Sequence, residues 1–295
     1  MLLFLVNLYG AALSYLDLDY VGLDKNMWIL LFVAFCVKAP LFPFHVWLPF
    51  AHVEASTGAS IILAAIMLKL GGYGIIKFML PLFFFETHLF FKPFAVFLCL
   101  ISIVYGGYCS LRQLDLKRQV AFSSIAHMGF ALLGIFSFTE VGIKGSIYLM
   151  ISHGLTSSAL FFLIGVLSDR FHTRSVLAFS GLFTVMPSFS FFLLVFSLAN
   201  IGFPGTSGFL PEFFVLIAVL KSIPSILLFV LFGMFVLTAS SLLVILRVLF
   251  GHAKIFFVRS SWIDLLFHEF FVLAVLLFWV IHLGLFDFFS VNIHH

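Results

Sequence analysis

The chain has 295 residues, 63% hydrophobic and only 9% charged, with a mean hydropathy of +1.25. A soluble domain of this size would lack the polar residues needed to cover its surface, so the bilayer is the solvent. A formal net charge of +3 is too small to support a nucleic-acid partner. Cys36, Cys99 and Cys109 lie in apolar stretches without CxxC spacing, which argues against a disulfide framework, a zinc site or an iron–sulfur cluster and for packing.

Apolar runs bounded by polar or Gly/Pro punctuation predict helices at roughly 2–16, 27–46, 57–80, 92–110, 119–138, 144–168, 178–222 with a break, 225–249 and 265–288. At about 25–35 residues for a helix and its turn, nine crossings use up nearly the whole chain and leave no room for an extramembrane catalytic domain. The helix at 2–16 is short for a full span and is expected to be tilted, incomplete or backed by another chain. It starts at Met1 without a basic n-region or a small-residue cleavage site, so no removable leader is expected. The 44 Phe residues suit an AT-rich, organelle-type genome.

Alternating crossings put the connections after the second, fourth, sixth and eighth helices on one face. That face carries Arg112, Lys117, Arg118, Arg170, Arg174, Arg247, Lys254 and Arg259. The other carries Lys25, Lys77, Lys92, Lys144 and Lys221 among Asp17, Asp19, Asp24, Glu86, Glu140 and Asp287. The positive-inside rule makes the first face cytoplasmic or matrix. Arg112, Asp115, Lys117 and Arg118 are expected to be topology anchors and loop salt bridges, and His172, His252, His268, His294 and His295 to lie at ends or connections.

Two predicted helices are interrupted in similar language. Phe42-Pro43 precedes Trp47-Leu48-Pro49 in one, and Phe203-Pro204 precedes Phe209-Leu210-Pro211 in the other. Paired Pro/Gly breaks in helices of opposite orientation are the pattern of inverted-topology transporter repeats. The expected fold is an all-α polytopic membrane protein of about nine transmembrane helices, two of them broken.

Lys38 and Lys69 fall roughly 17 and 18 Å along their helices, near the middle of a core about 30 Å thick. An ammonium there needs protein or water around it. Glu212 follows Pro211 where the second broken helix resumes, and irregular backbone at that depth needs a protein or hydrated surround. A static pair holding helices together needs two charges, and here there are three, so proton movement is the better reading. His153 and His127, each with hydroxyl neighbours, are candidates for a proton hop or for interhelical hydrogen bonds. His127 is placed somewhat nearer the basic face.

These residues sit in stretches that resemble the antiporter-like membrane subunits of respiratory complex I, and within them the subunit 4 branch. Val37-Lys38-Ala39-Pro40, His45-Val46-Trp47-Leu48-Pro49 and Ala51-His52-Val53-Glu54-Ala55 carry the resemblance. So do Leu68-Lys69-Leu70-Gly71-Gly72-Tyr73-Gly74, Leu111 to Lys117, Ser123 to Gly129, His153 to Ser158 and Ser197 to Phe213. The resemblance implies an ordered axis Lys38, Lys69, His153, Glu212, along which quinone reduction elsewhere drives proton movement. It implies no cofactor in this chain, with NADH, FMN, iron–sulfur clusters and ubiquinone in other subunits. It also implies partners among the membrane-arm subunits, including the paralogous subunits 2 and 5, surrounding lipids, and a mitochondrial inner membrane or, alternatively, a bacterial cytoplasmic one.

The same resemblance divides the chain into a truncated first repeat at 1–81, a second repeat at 92–250 and a C-terminal loop and helix at 251–295. Five helices that precede this region in the family have no counterpart here, including the one whose glutamate partners the residue matching Lys38. Either a second polypeptide supplies them or the first half-channel is degenerate. Competing readings are a structural arm segment without transport, a multisubunit cation/proton antiporter subunit, and a b-type cytochrome with His127 and His153 on haem iron.

Overall fold

A computed structural model describes residues 25–83, 85–252 and 264–285. The predicted helix at 2–16, with Asp17, Asp19, Asp24, Lys254, Arg259, Asp287, His294 and His295, lies outside them. The described residues are helical apart from their connections and one isolated antiparallel bridge, Asp115 to Ser175.

The first broken helix is α1 (Lys25–Lys38) followed by α2 (Trp47–Glu54). Then come α3 (Thr57–Leu82), α4 (Phe85–Arg112), α5 (Leu116–Ile135) and α6 (Glu140–Phe171). The second broken helix is α7 (Pro187–Ile201) and α8 (Phe209–Ser222). The chain continues through α9 (Leu227–Leu249) and α10 (Phe267–Leu285). By length and composition α3, α4, α6, α9 with the turn before it, and α10 can each cross a membrane.

Helix starts follow ordinary capping. Ser56 Oγ accepts from Ala59 N at 3.4 Å ahead of α3, Asp115 Oδ1 from Lys117 N at 3.0 Å ahead of α5, and Thr139 Oγ1 from Gly142 N at 3.1 Å ahead of α6. α4 and α6 extend beyond the predicted 92–110 and 144–168 because hydropathy marks the edge of the hydrocarbon, whereas the turns carrying Glu86, Glu140 and Arg170 stay helical in the interface.

α5 and α6 form the centre. Nearly every residue of α5 is buried, and 83% of the most apolar stretch of α6 is enclosed, against 17% in α10. Central helices see protein on all sides, so they can carry serines and histidines that a lipid-facing helix could not. α10 is peripheral and exposes Phe267, Phe271 and Phe278.

At the basic end the cations serve as backbone caps. Lys117 Nζ donates to Ala55 O at 3.0 Å and Arg174 Nη1 to Val53 O at 2.8 Å, satisfying carbonyls at the C-terminal end of α2. Leu116 N donates to Arg174 O at 3.0 Å and Val176 N to Leu114 O at 2.7 Å, which ties the start of α5 to the segment after α6. Arg170 pairs with Glu269 of α10. Asp115 is thus a helix cap rather than a salt-bridge partner.

α7 is capped from a distant part of the chain. Met186 at its start offers no side-chain acceptor, and Asp264 accepts from Ser188 N at 2.8 Å and Phe189 N at 3.1 Å. Burial opposes the charged form of Asp264, but these bonds and one from Leu265 N outweigh it and hold the carboxyl below its ordinary range. A depressed carboxyl pKa contributes stability above the unfolded value of about 3.9, which is lost as pH falls through the folded one. Asp264→Ala is expected to lower stability by about 1 kcal/mol at neutral pH. In thermal unfolding in detergent, the difference between parent and variant is expected to vanish on acidification through the carboxylate range.

Candidate functional site

Two helix breaks frame the site. α1 ends at Lys38, a cation at the negative end of its helix. The strand of backbone that follows is clipped by side chains: Trp47 Nε1 donates to Val37 O at 3.0 Å, and Phe42 N donates to Ser102 Oγ of α4 at 2.8 Å. α7 closes at Gly202, whose φ of +78° is one that L side chains rarely adopt. Gly202 N bonds Ala199 O at 3.2 Å and Phe203 N bonds Leu198 O at 3.1 Å, the paired closure of a Schellman motif.

The second halves, α2 and α8, begin at Trp47 and Phe209. Pro49 and Pro211 fall in their first turns, where a missing N–H costs no intrahelical bond. The two sequence-matched breaks therefore resume in the same way.

Between the breaks four side chains form a series. Lys69 lies on α3 between two π-helical turns, Leu63–Met67 and Ile75–Met79. Such turns disturb the regular i→i−4 ladder, and the Lys69 ammonium donates to the Ala64 carbonyl. Its Nζ is also 3.0 Å from Nδ1 of His153 on α6. The His153 ring is 5.1 Å, centroid to centroid, from that of His127 on α5, tilted by 38°. His127 Nδ1 is 3.6 Å from Glu212 Oε1 in the first turn of α8.

His153, His127 and Glu212 are only 3%, 5% and 8% exposed, so the series is internal. The Nε2 atoms of His127 and His153 have no hydrogen-bond partner among the described residues. A neutral imidazole accepts on one nitrogen and donates on the other. The series can therefore pass a proton between an ammonium and a carboxylate through two imidazoles.

The structure brings Lys69, His153, His127 and Glu212 together and leaves Lys38 apart. Lys38 is exposed and makes no ion pair or side-chain hydrogen bond among the described residues. His127, a proton-hop candidate left out of the ordered axis and placed nearer the basic face, sits between His153 and Glu212. The linear pattern gives the depth of a histidine along its helix but not the rotation that turns α5 and α6 toward each other.

His52 was not singled out from the sequence. It is fully buried against the Phe161 ring, with centroids 4.3 Å apart and planes at 9°, and both its ring nitrogens lack a partner among the described residues. Its sequence signals are its place in the Ala51-His52-Val53-Glu54-Ala55 stretch and its polarity within the half-helix after a break.

The rings of His127 and His153 are too close, and too committed to Glu212 and Lys69, for a haem plane to pass between them. Among the described residues no three His, Cys, Asp or Glu side chains gather as a metal site. Cys36 and Cys99 are buried, Cys109 is half-buried, and all three are unbridged.

Two broken helices set in an all-α membrane bundle, with a buried Lys–His–His–Glu series between them, define an antiporter-like membrane subunit. The chain belongs to the family described as NADH:quinone oxidoreductase/Mrp antiporter, TM, which matches residues 19–239. It is 45% identical over 290 residues to NADH-ubiquinone oxidoreductase chain 4 of Chondrus crispus, covering 95% of this chain and 58% of that one. A chain in the structure of respiratory complex I from Thermus thermophilus with bound NADH superposes with a TM-score of 0.88 at 27% identity, covering 96% of this chain and 60% of that one. A chain of the Mrp complex from Dietzia sp. DQ12-45-1b shares the fold, with a TM-score of 0.78 at 20% identity, covering 84% of this chain and 47% of that one. The chain spans about half the length of the curated relatives it matches.

A methyl group on Gly202 would lie 3.1 Å from Glu212 Cδ, whereas one on Gly205, also left-handed at φ +89°, would meet nothing. Gly205→Ala is therefore expected to lose about 1–2 kcal/mol for the backbone alone. Gly202→Ala is expected to lose more, because the added methyl would also meet Glu212 Oε2 at 2.5 Å and force the carboxylate to shift. Thermal unfolding of the two variants side by side checks this.

Proposed function

We propose that this chain acts as a proton-translocating membrane-arm subunit of an NADH:quinone oxidoreductase, with Lys69, His153, His127 and Glu212 carrying the proton. The observation that supports this most directly is their continuity: Lys69 is within hydrogen-bonding distance of His153, the two imidazole rings are in contact, and His127 Nδ1 is 3.6 Å from the Glu212 carboxylate. The 45% identity to a chain 4 protein over nearly the whole chain favours this assembly over a cation/proton antiporter complex, where the Mrp chain from Dietzia shares 20% identity. NADH, FMN, iron–sulfur clusters and ubiquinone belong, in this reading, to other subunits, and the membrane is the mitochondrial inner membrane.

Lys38 has its place at the start of the path, but with a partner from outside the described residues. α1 to α3 expose Val37, Val46, Phe50 and Ile66 as well as Lys38. An ammonium on so apolar a face at membrane depth is costly against lipid. In this reading a neighbouring helix covers the face and brings a carboxylate to Lys38.

In the assembled complex, Lys69→Ala and Glu212→Gln are expected to lower proton translocation on the order of tenfold or more, since a positioned proton-transfer group is worth about 10²–10⁴-fold. The measurement is protons moved per NADH oxidised in reconstituted vesicles. Unchanged stoichiometry in a normally assembled complex would overturn the reading.

A further inference from the structure

α10 meets the bundle along one narrow stripe. Leu273, Val280 and Gly284 fall at i, i+7 and i+11, one face of a helix, and the two larger residues are buried. Only 17% of the most apolar stretch of α10 is enclosed. A helix held so lightly could lie at the ordinary spacing of packed side chains, about 8–10 Å between axes. At its last turn α10 comes closer than that.

At Gly284 the helix backbone lies directly on the second break. A methyl group there would meet Gly205 O and Thr206 C, each at 2.5 Å, and Thr206 Cα at 2.7 Å. All three are backbone atoms, so no side-chain rotation could relieve the contact. The neighbouring residue is fixed as well, because the Tyr148 hydroxyl of α6 donates to Leu283 O. Tyr148 is buried and stands five residues before His153 on the same helix. The other end of α10 is held at the basic face, where Arg170 pairs with Glu269 and the Phe270 ring meets Phe192 of α7 with centroids 5.4 Å apart.

From Gly284 the contact leads to the carboxylate in two steps. Thr206 N donates to Phe203 O at 3.1 Å and Thr206 Oγ1 to the same carbonyl at 2.7 Å, so a push on Thr206 reaches Phe203, next to Gly202. Gly202 has no room on its Glu212 side, where a methyl would lie 2.5 Å from Oε2. Phe209 N also donates to Thr206 O at 3.3 Å, which ties the start of α8 to the same residue.

We propose that α10 is a brace that sets Glu212 against His127, with Gly284 and Tyr148 as positioning residues. The proposal deepens the proton-translocation reading and rests on it. His127 Nδ1 and Glu212 Oε1 are 3.6 Å apart, just outside the hydrogen-bond range of about 2.7–3.2 Å. A small movement of the break therefore decides whether the two groups bond. Gly284, lacking a side chain, lets α10 back the loop. The Tyr148 hydroxyl holds α10 at that level and keeps it from sliding along its axis.

The test uses the assembled complex and compares Gly284→Ala with Val275→Ala, which lies on the exposed side of α10. In cryo-EM maps Gly284→Ala is expected to change the separation of His127 and Glu212 while Lys69 and His153 stay within hydrogen-bonding distance, and Val275→Ala is expected to change neither. Protons moved per NADH oxidised are expected to fall on the order of tenfold in Gly284→Ala, since a misplacement of about 1 Å can cost about 10²-fold. Val275→Ala is expected to keep the parental level. A Glu212 that has not moved, or equal loosening at both ends of the series, overturns the proposal. So does a displaced Glu212 with parental translocation where Lys69→Ala abolishes it. Tyr148→Phe removes the hydroxyl alone and is expected to displace Glu212 as well; it decides the matter where Gly284→Ala does not assemble. If Lys69→Ala leaves translocation intact, the proton-translocation reading fails, while the maps still judge the brace.

Discussion

Backbone that leaves the helix inside a bilayer has no water to fall back on, so every stranded N–H and C=O must find a partner in protein. The fold depends on meeting that demand twice. At the first break side chains add to the backbone's own bonds: the Trp47 indole sits on Val37 O and the Ser102 hydroxyl under Phe42 N, beside Leu41 N on Cys36 O. At the second it comes from the backbone itself, through the left-handed turn at Gly202. Once satisfied, each break leaves a helix end, with its partial charge, facing the interior. Lys38 occupies a C-terminal end and Glu212 an N-terminal one, the signs that each end favours.

The other requirement is a dry shell around the charges. α5 and α6 provide it because they are enclosed by the remaining helices and need not present an apolar face to lipid. Freed from that need, they carry His127 and His153 where α3 and α8 bring Lys69 and Glu212. Chemistry at the centre and hydrophobicity at the rim are two results of one arrangement, with α10, rich in exposed phenylalanine, at the outside.

Much of this was legible in the chain. Pro43, Pro49, Pro204 and Pro211 mark the breaks, and the cations at alternate ends mark the topology, because both signals are local and chemical. Depth along a helix is also countable, which is why Lys69 and Glu212 stood out. Rotation is not. Whether His127 turns toward His153 depends on how α5 and α6 pack, and α5, apolar or small almost all round, has little one-sided pattern to show it. Gly284 was hidden for a related reason: it looks like an ordinary small residue in an apolar helix until the break it lies against is in place.

The cations at the basic end have a mechanical side. Lys117 and Arg174 grip α2 through carbonyl oxygens, acceptors that do not take up protons in the physiological range. Acidification of the compartment they face therefore leaves that grip unchanged, and α2 stays a fixed strut while charge shifts in the interior. The clasp between Arg170 and Glu269 is of another kind, because its acceptor is a carboxylate. It joins α6 to peripheral α10 through two charged side chains rather than through the backbone.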